Sequence, residues 1–337
     1  MNANILLAVG LILVASVMNA TYTLPMRLNR RWSWEHSWAA FTILGLGVVP
    51  LLLCLLTVPD LCSVYAAASP ATLWALAIFG ALWGVSLVLF GRSIAMVGLA
   101  ITFAVVMGTS AASGALIPLL TQHPEKIMTR EGGLILLGIA GMLAGVGLYG
   151  VAGYQRDNAG VKAGVSRQSF LPGFLYALLS GVTGSLLNVG FAYGGDIQRA
   201  ALAHGASQAM MSNAVWLPAI YAGAVPGVIY CFYLMKKNGN VRQFLSQARW
   251  YYWLMGASMG LLWFGSVMAY GISTVELGAL GPVIGWPLFM SGIVLASTVV
   301  GLRAGEWKHA GSRPVRIMLG GLAMLAASMA VLSQAGR

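Results

Sequence analysis

Apolar and polar positions along this chain neither alternate nor gather on one helical face. They segregate into long apolar runs parted by short polar stretches, near residues 4–24, 37–57, 71–92, 95–119, 132–152, 172–193, 209–235, 250–271, 275–302 and 314–334. Each run approaches the ~20 residues that a helix needs to cross a bilayer core. Membrane-spanning strands would instead read as alternating segments of about 10 residues. The pattern therefore predicts an all-α integral membrane protein with ten transmembrane helices.

Composition agrees with that reading. Of 337 residues, 59% are hydrophobic and 8% charged, whereas a soluble domain carries about 25% charge. The first run is expected to be a span rather than a removable leader, because Met1 to Asn4 contain no Lys or Arg and no convincing small-residue cleavage site follows. Cys54, Cys62 and Cys231 are odd in number and lack metal-type spacing, so they read as packing residues.

The net charge of +11 changes the picture only through its distribution. Fifteen of the 19 Lys and Arg residues follow runs one, three, five, seven and nine: Arg27, Arg30, Arg31; Arg92; Arg156, Lys162, Arg167; Lys236, Lys237, Arg242, Arg249; Arg303, Lys308, Arg313 and Arg316. By the positive-inside rule these connections are cytoplasmic and both termini lie on the periplasmic side. Topology thus accounts for the basic surplus without a nucleic-acid partner. Trp32, Trp34 and Trp38, and Trp250, Tyr251, Tyr252 and Trp253, follow basic clusters and read as interfacial anchors.

An internal repeat organises the runs. Leu82 to Gly98 recurs 180 residues later as Leu262 to Gly278, with Leu82/Leu262, Trp83/Trp263, Ser86/Ser266, Gly91/Gly271, Ser93/Ser273 and Gly98/Gly278 identical. Ser16 and Asn19 match Ser185 and Asn188 at an offset of 169. The polar connection Gln155 to Ser169 divides five runs from five. The expected organisation is a first five-helix repeat at 1–154, a cytoplasmic hinge loop at 155–169 and a second repeat at 170–337. Since five is odd, the second copy enters the membrane from the opposite side, giving two inverted five-helix repeats, an arrangement suited to alternating access around a central site. Phe90-Gly91-Arg92-Ser93 and Tyr270-Gly271-Ile272-Ser273 are expected to be tight corners between the third and fourth and the eighth and ninth spans.

Within spans, ionisable and polar residues are the functional candidates. Glu131 opens the fifth span and Glu276, whose repeat mate is the apolar Met96, is placed close to the start of the ninth; each reads either as a proton-coupling acid or as an acid favoured at a helix N-terminus. Asp196 reads as a loop acid. Asn19, Asn188 and Asn213 need partners in the membrane, from a ligand or from neighbouring helices. Trp83, Trp216, Trp263 and Trp286 fall inside spans, where an indole offers a flat apolar face and one donor. Ser86 and Ser266, one turn beyond the repeated tryptophans, join them as candidate substrate contacts. No P-loop, metal or redox cluster, or Ser-His-Asp set is found, so neither an enzyme nor a cofactor is expected. No selectivity-filter sequence or Arg-rich gating helix supports a channel.

The segments Arg31-Trp32-Ser33-Trp34-Glu35, Gly80-Ala81-Leu82-Trp83-Gly84, Glu131-Gly132-Gly133 and Glu306-Trp307-Lys308-His309-Ala310-Gly311-Ser312-Arg313-Pro314-Val315 resemble the bacterial L-rhamnose-proton symporter family of the drug/metabolite transporter superfamily. The resemblance runs from the first span to the last. It implies ten spans in two inverted repeats, the bacterial inner membrane, and proton-coupled import of L-rhamnose or a related small sugar. Partners would be the sugar, protons and membrane lipids. A metabolite or drug exporter of the same superfamily, not necessarily proton-coupled, is the alternative.

Overall fold

The structure is a computed structural model and describes residues 3–29, 31–157, 167–246 and 249–335. Among them, ten helices are long and apolar enough to cross a membrane: α1 (Ala3–Thr21), α2 (Trp34–Thr57), α3 (Pro70–Val97), α4 (Leu99–Gln122), α5 (Arg130–Asp157), α6 (Arg167–Tyr193), α7 (Asn213–Lys237), α8 (Trp250–Glu276), α9 (Gly281–Arg303) and α10 (Ser312–Ala335). The ten predicted spans are present. Residues 158–166 of the predicted hinge lie outside the described residues, and its ends are helical turns of α5 and α6.

Helix contacts come in matching sets. α3 packs on α6 and α7, while α8 packs on α1 and α2; α4 packs on α5 and α6, and α9 on α10 and α1; α5 and α10 pack on each other. Missing side chains permit the closest of these approaches. A Cβ at Gly80 or Gly84 of α3 would collide with the backbone of Ala219 or Gly223 of α7, and one at Gly45 of α2 would lie 2.9 Å from the Gly260 Cα of α8. Small residues at such crossings let helices gain dispersion contact, since lipid offers no hydrophobic drive to pair them.

Prolines shape the remaining geometry. Pro50 of α2 has no N–H and crowds the carbonyl four residues back, and the stretch before it, Phe41–Val48, widens into π-helix. Pro118 in α4 and Pro218 in α7 leave the carbonyls of Gly114 and Ala214 without their helical donors. Side chains from other segments replace them: Asn188 Nδ2 donates to Gly114 O at 2.9 Å, and the Tyr65 hydroxyl donates to Ala214 O at 2.7 Å.

The expected corners are displaced by one to two turns. α3 continues through Phe90–Ser93 to Val97, and α8 through Tyr270–Ser273 to Glu276. Gly91 and Gly271 are ordinary helical positions. The chain turns instead at the last identical pair of the repeat, where Gly98 (φ 84°) and Gly278 (φ 73°) take the left-handed values that glycine tolerates. Arg92 suggested a loop, but it sits on an exposed helical face. Glu276 consequently ends α8 instead of opening α9, so the helix-N-terminus explanation for this acid is wrong. Its carboxylate lies at the negative end of the α8 dipole.

The anchor reading also needs revision for two aromatics. Trp34 and Trp250 are well exposed, as anchors should be, whereas Trp32 and Tyr252 are buried and stack on each other at 4.6 Å. Adjacent Glu35, also buried, accepts hydrogen bonds from Asn238 Nδ2 (2.9 Å) and Asn240 Nδ2 (2.7 Å), tying the start of α2 to the end of α7.

Two glycine substitutions test this packing. Gly84→Ala should force α3 from α7 and cost about 1–3 kcal/mol, as overpacking does. Gly91→Ala, whose added methyl would meet nothing within 4 Å, should be neutral or should stabilise by up to about 1 kcal/mol. Thermal unfolding in detergent measures both, and equal shifts would refute the packing account.

Candidate functional site

A cavity of about 350 Å³ lies among α1, α2, α3, α4, α6, α7, α8 and α9. Its wall combines aromatic side chains (Tyr22, Trp38, Phe41, Trp83, Phe90, Phe103, Trp216, Trp263, Tyr270, Trp286 and Phe289) with aliphatic ones and with Asn19, Thr23, Ser86, Ser110, Ser180 and Ser297. None of the lining residues is Asp, Glu, Lys, Arg or His. A charged solute would therefore lose hydration there without gaining a counter-ion.

The two ends of the cavity differ. Connections after α1, α3, α5, α7 and α9 make one end of the bundle basic, and the cavity reaches toward that end through Tyr22 and Thr23 beyond α1, Trp38 early in α2 and Phe90 late in α3. At the opposite end buried aromatics close it. Phe191 and Trp216 stack at 4.2 Å and 7°, Tyr270 stacks on Phe289 at 5.2 Å, and Trp286 meets Tyr270 edge-on at 5.6 Å. Hydrogen bonds fix this seal: Trp286 Nε1 donates to Ser110 O (3.0 Å) and the Tyr270 hydroxyl donates to Asn188 Oδ1 (2.5 Å).

Of the predicted substrate contacts, Asn19, Trp83, Ser86, Trp216, Trp263 and Trp286 line the cavity. Trp83 and Trp263, repeat mates, stack on each other at 5.4 Å and 26°, so their faces meet across the two halves of the chain. Ser266 is fully buried behind the wall, accepting from Asn19 Nδ2 at 3.0 Å and donating to Trp263 O at 2.6 Å. Asn188 is also behind the wall. Its amide donates to Gly114 O and Pro282 O, at 2.9 and 3.1 Å, and its oxygen accepts from Tyr270, which leaves little capacity for a ligand. Asn213 stands apart at the start of α7, with Nδ2 on Thr57 Oγ1 at 3.0 Å. The interhelical alternative describes Asn188 and Asn213 in this structure.

Neither acid reaches the cavity. Glu131 pairs with Lys126 at 2.8 Å, an interaction that raises the lysine pKa. Glu276 is half-buried at the end of α8 with no cation beside it among the described residues. No group of three or more His, Cys, Asp or Glu in the described residues could hold a metal ion.

Sequence reasoning missed Tyr270, Tyr22, Trp38 and Phe289. Tyr270 lies inside the repeat, yet its mate is Phe90, so identity between the copies did not mark it. Tyr22 and Trp38 sit beside basic clusters, where aromatics read as membrane anchors.

The hydroxyls facing the cavity mostly donate to backbone carbonyls, Ser86 Oγ to Trp83 O at 2.6 Å and Ser180 Oγ to Ser86 O at 2.8 Å. They remain available as acceptors. Indole N–H groups of Trp38, Trp83 and Trp263 have no acceptor among the described residues and remain available as donors.

Comparisons with known proteins place the whole chain. A family model described as "L-rhamnose-proton symport protein (RhaT)" matches residues 1–336. An L-rhamnose-proton symporter of Citrobacter koseri is 26% identical over 315 residues, covering 91% of each chain, and its counterpart in Salmonella paratyphi B is similar to the same extent. One from Escherichia coli is 25% identical over 315 residues, again covering 91% of each chain. A crystal structure shares the fold with a TM-score of 0.57 at 17% identity, covering 96% of this chain and 95% of that one.

Two substitutions separate structural polar groups from one another. Tyr65→Phe orphans the carbonyl that Pro218 exposes and should cost about 1–3 kcal/mol, the penalty of a buried unsatisfied group. Asn213→Ala loses the bond to Thr57 but also removes an Oδ1 that has no partner, so its cost should stay within about 1 kcal/mol. Thermal unfolding of the two variants checks the order, and a larger loss for Asn213→Ala would refute it.

Proposed function

Since the chain belongs to the L-rhamnose-proton symport protein family of the drug/metabolite transporter superfamily, and is thus a multi-pass secondary transporter of the bacterial inner membrane rather than an enzyme, we propose that it imports L-rhamnose or a related small sugar, coupled to protons, by alternating access of two inverted five-helix halves. The observation that carries this reading is the uncharged aromatic cavity enclosed between the halves. A deoxy sugar combines hydroxyls with a methyl group and apolar C–H faces. Aromatic walls suit the faces, while indole donors and the Ser and Asn19 acceptors suit the hydroxyls.

Three features support the inverted halves, 1–154 and 170–337 about the hinge 155–169. Five spans per copy reverse the direction of entry, the repeat places Trp83 and Trp263 against each other, and adding five to each helix number, with α1 following α10, converts one set of packing partners into the other. With the basic end cytoplasmic, both termini are periplasmic and the structure is an inward-facing state. Asn19, Trp83, Ser86, Trp216, Trp263 and Trp286 are the proposed sugar contacts, with Ser266 holding Asn19 and Asn188 and Asn213 serving helix contacts in this state. Proton coupling rests on Glu131 or Glu276. Glu276 is the stronger candidate because no side chain among the described residues offsets its charge. Moving one charge through a membrane potential releases about 2.3 kcal/mol per 100 mV, or nearly fifty-fold accumulation of a sugar that accompanies it.

The preponderance of aromatic over polar side chains in the cavity favours a second reading, transport of a more apolar metabolite. Counterflow in proteoliposomes separates the two. Labelled L-rhamnose should exchange, and Trp83→Ala or Trp263→Ala should raise its KM by about tenfold, the worth of one lost stacking contact. Failure of rhamnose to exchange while an apolar metabolite does would reject the sugar. Glu276→Gln should abolish proton-driven accumulation and retain exchange; normal accumulation by both Glu276→Gln and Glu131→Gln would assign the proton elsewhere.

A further inference from the structure

Asn19 and Asn188 are repeat mates, yet they occupy opposite environments. Asn188 is fully buried at the sealed end and makes three hydrogen bonds, to Gly114 of α4, Pro282 of α9 and Tyr270 of α8. Asn19 is half-buried, lines the cavity near its basic end and makes one, to Ser266. Sequence equivalence cannot explain such a difference. Two inverted halves in a single asymmetric state can, because one copy then adopts the closed arrangement and the other the open one.

From this contrast we infer that Asn19 and Asn188 are alternating latches: Asn188 locks the end opposite the basic one in the present state, and Asn19 takes the same role at the basic end when the cavity opens the other way. The inference rests on the inverted-repeat reading above. Two details of the packing bear on it. Neighbouring serine mates already contact equivalent helices, Ser185 accepting from Ser113 of α4 at 2.9 Å and Ser16 donating to Phe289 O of α9 at 3.3 Å. α1 thus lies on α9 as α6 lies on α4, so α9 is the helix against which Asn19 would latch. The bond to Gly114 is also one that α4 requires, since Pro118 has removed the native donor. Opening the sealed end therefore strips a carbonyl of its partner unless water enters, which makes Asn188 a switch rather than a permanent tie.

The two latches differ in strength. Tyr270 supplies a hydroxyl to Asn188, whereas its repeat mate, Phe90, has none to offer Asn19. The latch at the basic end lacks one hydrogen bond, and the equilibrium is accordingly biased toward the state seen here.

The test uses the full chain with Cys54, Cys62 and Cys231 replaced and a reporter cysteine at Leu87, a half-buried cavity residue. An impermeant maleimide added to sided vesicles gives the ratio of labelling from the two faces without any substrate. Asn188→Ala and Tyr270→Phe should raise labelling from the face opposite the basic end by roughly three- to tenfold, the range for one net hydrogen bond. Phe90→Tyr, which adds the missing hydroxyl, should move the ratio the same way, and Asn19→Ala should move it in reverse. Tyr270→Phe and Phe90→Tyr keep the ring volume and guard against simple misfolding. If Asn19→Ala and Asn188→Ala shift the ratio in the same direction, or neither shifts it, the exchange of latches is wrong. Opposite shifts in a protein that fails rhamnose counterflow would keep the latches and reject only the sugar; rhamnose counterflow with no shifts would do the converse.

Discussion

The constraint on which the rest of this structure depends is that a backbone carbonyl inside a bilayer must find a donor within the protein, since hydrocarbon supplies none. Ten helices satisfy nearly all carbonyls internally. A proline within a span breaks that closure at a known place, four residues earlier, and at Pro118 and Pro218 the chain answers with a side chain from elsewhere. Tyr65 serves α7 and Asn188 serves α4. These donors do more than settle a local deficit, because each cross-link also fixes where a helix can sit. The Asn188 link joins α4 to α6, α8 and α9 at one point. The sealed end of the cavity is organised around it.

Glycine supplies the complementary freedom. Where Gly80 and Gly84 meet Ala219 and Gly223, and where Gly45 meets Gly256 and Gly260, backbones come too close for any side chain. Both crossings join one of the first five helices to one of the last five. At these two crossings the helices touch through smooth backbone surfaces flanking the Trp83–Trp263 stack. Such contacts resist separation through packing, yet offer few interlocking side chains to obstruct sliding. The alternating-access cycle proposed above needs both properties at these crossings.

Much of this was legible in the chain itself. Ten spans followed from the length of the apolar runs, and the repeat pointed to the cavity through Trp83, Trp263 and Ser86. Hydropathy could not find the corners, because Arg92 interrupts an apolar run without ending the helix that carries it, while the apolar neighbourhood of Gly98 hides a turn that depends on a positive φ. Asn188 and Asn213 illustrate a second limit. An intramembrane amide announces that it needs partners, but whether those are a solute or another helix depends on which residues the fold brings within about 3 Å. Tyr270 was missed for a related reason. Similarity between repeats identifies what both copies need, and this hydroxyl belongs to one copy only.

The same asymmetry offers a route for the proposed proton coupling, since the cavity itself carries no acid. Glu276 and Tyr270 lie on the same helix, six residues apart, or about 9 Å along its axis. Glu276 ends α8, where its charge opposes the negative end of the helix dipole. Neutralising that charge would relieve the helix end by ~0.3 to 1 kcal/mol, an amount comparable to the single hydrogen bond through which Tyr270 holds Asn188. Both features are missing from the other copy, which has Met96 and Phe90 at the corresponding positions. The two departures from symmetry thus share one helix and have similar magnitude. On the proton coupling proposed above, a proton bound at the end of α8 would bias the proposed latch without ever entering the cavity, leaving the site itself free of charge and suited to a neutral solute.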